Sequence, residues 1–147
     1  MNLQIETRDG LKLGAWLVIP PSQATTAFDG PPSEEDIYAS IKSHPTILLF
    51  HGNAATRAVF FRAQYCSSYA SRFRANVLAI DYRGYGDSEG SPSEDGLVMD
   101  ARGAWDWAIS HGAKPDDILL VGMSLGTGVA SKLGAQLAQE GIIFYSQ

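Results

Sequence analysis

Cysteine is almost absent from this chain: Cys66 stands alone among 147 residues. No internal disulfide can form, and a lone thiol fits a reducing compartment. Basic residues are also scarce, 11 Lys and Arg against 16 Asp and Glu for a net charge of −5. That balance argues against a nucleic-acid partner, because phosphate binding needs concentrated positive charge. No apolar run approaches the roughly 18 residues of a membrane span. The opening MNLQIETRDG lacks the basic start and apolar core of a signal peptide. A cytoplasmic chain without a membrane span is therefore expected, with membrane association only through missing sequence or exposed apolar surface. No His/Cys cluster has metal-ligand spacing, and no G-x-x-x-x-G-K-[ST] loop is present. GMSLGTG has a lone G-x-G without the later glycine of a dinucleotide loop, so neither a cofactor nor a metal is expected.

What remains is an ordinary globular composition, 45% apolar and 18% charged, long enough for one domain with its own core. NLQIETRDGLKLGAWLVIP alternates on both sides of Asp9-Gly10 and predicts a hairpin. Residues 20–44 are a polar loop or insertion holding four of the seven prolines. Within it, SEEDIYASIKSH predicts a short helix capped by Ser33. From Pro45 the pattern changes. TILLF (46–50), NVLAI (76–80) and DILLV (117–121) are apolar runs without alternation, as expected of strands buried on both faces. Helical segments separate them. One covers approximately 56–73, where Cys66 reads as a packing residue. The next opens at Ser91-Pro92-Ser93-Glu94, read as a capping box with proline at the first helical position. A third follows Ser124 and closes at Gly141, and IIFYS (142–146) could start one more strand. A hairpin followed by strand–helix alternation defines an α/β fold with a mostly parallel sheet.

The chemistry centres on Gly122-Met123-Ser124-Leu125-Gly126, which fits G-x-S-x-G after a strand and before a helix. A serine at so sharp a turn needs nearly bare neighbours two residues away on each side, hence Gly122 and Gly126. The turn holds the hydroxyl above the sheet edge and directs the Leu125 N–H, at a helix N-terminus, toward an oxyanion. The alternative is a glycine-rich turn that serves close packing alone. His51-Gly52-Asn53 follows the first buried strand, where Gly52 lets the backbone turn back and the Asn53 N–H would point at the same oxyanion. The alternative there is a simple strand-to-helix turn. A glycine-punctuated loop, DYRGYGDSEGSPSEDG (81–96), shapes the same edge, with residues 81–83 read as a structural hydrogen-bonded corner.

In their order, RDGLKLGAW, FHGNAAT, DYRGYGDSEGSPSEDGL and GMSLGTGVA resemble the α/β-hydrolase superfamily. The branch they are most similar to holds monoacylglycerol and lysophospholipid lipases and S33-type serine hydrolases. The resemblance implies that Ser124 is a nucleophile and that the Asn53 and Leu125 N–H groups form the oxyanion hole. His51 would brace the oxyanion loop, and the substrates would be carboxylic esters of lipids or small molecules.

One absence matters most. The superfamily's chain order is nucleophile, acid, histidine, yet after Ser124 there is no Asp and no His, only Glu140 at a helix end. His44 and His111 belong to the opposite sheet edge. His51 lies on the right edge and is the one upstream candidate for a surrogate base. The resemblance therefore implies that residues 1–147 are the N-terminal portion of a single hydrolase domain, its later strands missing. These residues alone are expected to be inactive. The alternative function is that of a non-catalytic interaction or regulatory fragment. A bare sheet edge would also be open to self-association.

Overall fold

A computed structural model describes residues 1–22 and 32–142. Strands β1 (Asn2–Glu6) and β2 (Lys12–Val18) form the expected antiparallel hairpin, with Gly10 at φ +82° in its turn. Helix α1 (Glu34–Ser43) begins at Ser33 in a reciprocal capping box with Asp36. Then come β3 (Thr46–Phe50), α2 (Phe60–Phe73), β4 (Asn76–Ile80), α3 (Glu94–Ser110), β5 (Ile118–Gly122) and α4 (Leu125–Gln139). The strand expected within 142–146 lies outside the described residues, apart from Ile142.

The five strands form one sheet in the order β1-β2-β4-β3-β5. β3 pairs in parallel with both β4 and β5, and β2 joins β4 antiparallel. Residues of β3 alternate between two apolar layers. Leu48 and Phe50 join the layer formed with α1, α3 and α4, in which Trp105, Leu133 and Leu137 are buried. Ile47 and Leu49 join the layer formed with α2, through Cys66 and Ala70. Burial without alternation in β3 and β4 follows from these two covers.

Three elements depart from expectation. The second helix starts at Phe60 rather than near residue 56, because Ala54 and Ala55 adopt left-handed backbone at φ +64° and +57°, which a right-handed helix cannot include. α3 is capped by Ser93, whose hydroxyl accepts the Gly96 N–H, so Pro92 precedes the cap instead of opening the helix. Pro92 packs so closely on Gly84 that a Cβ there would lie 2.5 Å from its ring, which ties the proline to the preceding loop. Finally, β5 is not buried on both faces: Leu119 is 56% exposed. α2 packs chiefly on β4 and β2, and β5 lies at the end of the described sheet, beyond that cover.

The strand order places the site. The chain leaves β3 for α2 on one face, but leaves β5 for α4 on the other. Adjacent parallel strands whose following helices diverge leave a crevice beyond their carboxyl ends. The turn after β3 and the turn after β5 meet there.

Candidate active site

β5 ends in a turn with little room for side chains. A Cβ on Gly122 would lie 2.2 Å from the Gly126 oxygen, and one on Gly126 would lie 2.1 Å from the Phe50 oxygen. Both obstacles are backbone. Between them Ser124 is held at φ +51°, ψ −116°, a conformation that side-chain-bearing residues rarely adopt. The Met123 N–H donates to the Phe50 carbonyl at 3.0 Å, and the Thr127 N–H donates to the Ser124 carbonyl at 2.9 Å. These bonds pin the turn to β3 on one side and to α4 on the other. Ser124 is exposed, and among the described residues its Oγ makes no hydrogen bond.

The turn after β3 lies directly alongside. A Cβ on Gly52 would lie 3.3 Å from both the Ser124 Cβ and the Met123 oxygen. Among the described residues, neither the Asn53 N–H nor the Leu125 N–H donates to another group. Two backbone N–H groups without acceptors among the described residues thus lie in the two adjoining turns, that of Leu125 at a helix N-terminus. The Asn53 side chain is itself oriented, its Oδ1 accepting the Tyr85 hydroxyl at 2.7 Å.

A buried guanidinium holds this turn. Arg62 of α2 is 6% exposed and donates to three carbonyls: Thr56 at 2.9 Å, Ala54 at 3.1 Å and Gly52 at 3.3 Å. Sequence reading misses Arg62. The available signal is its spacing, since it shares a helix face with Cys66 and Ala70 at intervals of four.

His51 lies beneath the site. Its Nδ1 is 2.7 Å from the Gly52 oxygen, and its Nε2 is 3.2 Å from Asp81 Oδ1, close but not aligned for a hydrogen bond. The ring is buried against Tyr82 and Tyr85. Both nitrogens thus face groups other than Ser124, and the geometry lends a surrogate-base role no support. Asp81 also accepts the Arg57 N–H at 2.6 Å and its guanidinium at 2.5 Å. Arg57 reaches on to Asp87 and holds that carboxyl below its ordinary range. Arg83 binds buried Asp100 and, across the loop, Asp9. The 81–83 segment is the hydrogen-bonded corner that its sequence suggests.

Other candidates lie elsewhere. His44 shortly precedes β3 and His111 caps the far end of α3, both away from the carboxyl ends of the parallel strands. Glu140, at the end of α4, pairs with Arg102. Burial pushes the Cys66 thiol up to about 11, consistent with a packing residue. Met123 lines a small void with Cys66 and Arg62. Among the described residues, no three His, Cys, Asp or Glu side chains gather as metal ligands would, and no helix is long and apolar enough to cross a membrane.

Beside the serine turn an open cleft of about 470 Å³ runs between the starts of α3 and α4. Its lining includes Leu97, Val98, Leu125 and Val129, with Asn53 and Tyr85 alongside and the ion-paired Glu94 and Lys132 at its border.

Comparison with known proteins gives this geometry a lineage. Residues 45–142 match the family model for the alpha/beta hydrolase fold. The chain is 37% identical over 142 residues to lysophosphatidylserine lipase ABHD12 of Danio rerio, covering 95% of this chain and 36% of that protein. It is 34% identical over 142 residues to protein ABHD12B of Homo sapiens, covering 96% of this chain and 38% of the relative. It thus spans little more than a third of the length of these curated relatives. Among solved structures, ferulic-acid-bound Est1E from Butyrivibrio proteoclasticus superposes with a TM-score of 0.72 at 19% identity, over 96% of this chain and 49% of that one. The Pyrococcus furiosus esterase Pf2001 gives a TM-score of 0.66 at 22% identity, over 90% and 44% of the two chains. With residues 45–142 matched by that family model and the strands ordered as described, this chain belongs to the alpha/beta hydrolase family.

Proposed function

We propose that these residues form the nucleophile and oxyanion half of a serine esterase site acting on carboxylic esters of lipids. One observation carries the reading: Ser124 is held in strained backbone beside two free N–H groups, those of Asn53 and Leu125. In this reading Ser124 Oγ attacks the ester carbonyl carbon, and the carbonyl oxygen becomes an oxyanion between the two donors. Collapse of that intermediate expels the alcohol and leaves an acyl-enzyme, which water then cleaves to release the acid. The apolar cleft beside Leu125 suits a hydrocarbon portion of the substrate, and the lipase names of the similar proteins point to the same class.

Attack requires a base to take the serine proton. His51 faces Asp81 and Gly52, and no histidine follows Ser124 in these residues. The reading therefore assigns the histidine and its acid to other sequence, and these 147 residues by themselves would not turn over substrate. The unpartnered Ser124 Oγ also favours the second reading, a non-catalytic fragment with an interaction or regulatory role. Labelling with a fluorophosphonate probe, with Ser124→Ala alongside and thermal unfolding as a check on folding, tests whether Ser124 is activated within these residues. Absence of labelling in folded protein is expected for the isolated half-site. Labelling that disappears in Ser124→Ala would show an activated serine and refute inactivity. Labelling that persists in Ser124→Ala would remove Ser124 as the nucleophile.

A further inference from the structure

We propose that the outer face of α2 docks on a membrane surface bearing anionic lipid. The face is aromatic. Phe61, Tyr65, Tyr69 and Phe73 follow one another at intervals of four, with successive ring centroids 6.2, 6.1 and 5.8 Å apart. Tyr69 is half-buried and the other three are exposed; Phe73 is 61% exposed, and Phe60, at the helix start, is 76% exposed. Four exposed aromatic side chains on one helix, Phe60, Phe61, Tyr65 and Phe73, are the kind of apolar surface that a partner can cover. It is separate from the buried face of the same helix, where Arg62, Cys66 and Ala70 meet the sheet and the loop above it.

Charge selects the occupant. The chain as a whole is acidic, yet residues 53–80 contain no Asp or Glu and four arginines. Two of these are already engaged: Arg57 binds Asp81 and Asp87, and Arg62 binds loop carbonyls. Arg72 and Arg74, beside Phe73, are exposed and have no ion-pair partner among the described residues. A second copy docked face to face would bring like charges together around a two-fold axis. An anionic lipid surface satisfies both halves of the pattern. Rings enter the boundary between headgroups and acyl chains, while arginines reach phosphates and carboxylates. The surface argument stands on α2 alone and does not depend on Ser124 chemistry.

The test is cosedimentation of the 147-residue chain with vesicles of phosphatidylcholine, and with vesicles in which phosphatidylserine replaces part of it. Binding should favour the mixed vesicles by roughly tenfold or more and weaken as salt rises. Phe60→Ser with Phe61→Ser, and separately Arg72→Glu with Arg74→Glu, should each reduce it by about tenfold or more. These residues are exposed, so thermal unfolding should change little. Absence of binding, equal binding to both vesicle types, or binding unchanged in the variants would each overturn the proposal. So would a dimer, seen by light scattering, that the same variants dissociate without any vesicle preference.

Discussion

Gly126 rests on the end of β3: a Cβ placed on it would sit 2.1 Å from the Phe50 carbonyl oxygen. The same carbonyl accepts the Met123 N–H, so the serine turn and β3 are locked together through backbone alone. Gly126→Ala should therefore lower stability by about 3 kcal/mol, because backbone must move to admit a methyl group. Urea denaturation would measure it. A loss below about 1 kcal/mol would mean that the turn adapts more readily than its contacts imply.

Strain at Ser124 has the opposite sign. Relieving its φ of +51° with Ser124→Gly should stabilise the fold by about 1 kcal/mol, after the added chain entropy of glycine is counted. Ser124→Ala retains the Cβ and should not. Comparing the two variants by thermal unfolding isolates the backbone contribution, and equal transition temperatures would show that the turn stores no strain.

Arg62 should matter to the donor loop more than its distance in sequence suggests. Arg62→Met removes three hydrogen bonds from one guanidinium and leaves the Gly52, Ala54 and Thr56 carbonyls without it. A loss of about 2–3 kcal/mol is expected in urea denaturation. Faster hydrogen exchange at the Arg57 and Val59 amides, which donate to Asp81 and to the Thr56 carbonyl, should accompany it, and unchanged exchange would show that the loop holds its shape unaided.

Acid should weaken the corner at Arg83. Hydrogen bonds from Arg83 and Thr7 depress the Asp9 carboxyl from 3.8 to about 2. A depressed folded-state pKa contributes stability above the unfolded value and loses it as pH falls through the folded one. The Asp9 contribution should be complete above about pH 5 and largely gone near about pH 2. Urea titrations of the parent chain and Asp9→Asn should therefore differ at neutral pH and converge in acid. A constant difference across that range would rule out the linkage.

Local sequence carries much of this fold. Period-two alternation around Asp9-Gly10 suffices for the hairpin, Ser33 marks the start of α1, and short unbroken apolar runs mark β3 and β4. Gly122 and Gly126 around Ser124 announce a tight turn, because only a missing side chain fits such close backbone contacts. Local pattern fails where distant segments decide. The start of α2 yields to a left-handed loop held by Arg62, and the start of α3 yields to Pro92 packed on Gly84. Leu119 is as apolar as its neighbours, and its exposure follows from the position of β5 in the sheet.

Element types, the serine turn and the lack of Asp and His after Ser124 can all be read from the residues in order. Three relationships cannot: Gly52 lying against Ser124, His51 turning toward Asp81, and Arg62 securing the donor loop. They are set by strand pairing and close packing, which bring together backbone and side chains that no local periodicity connects.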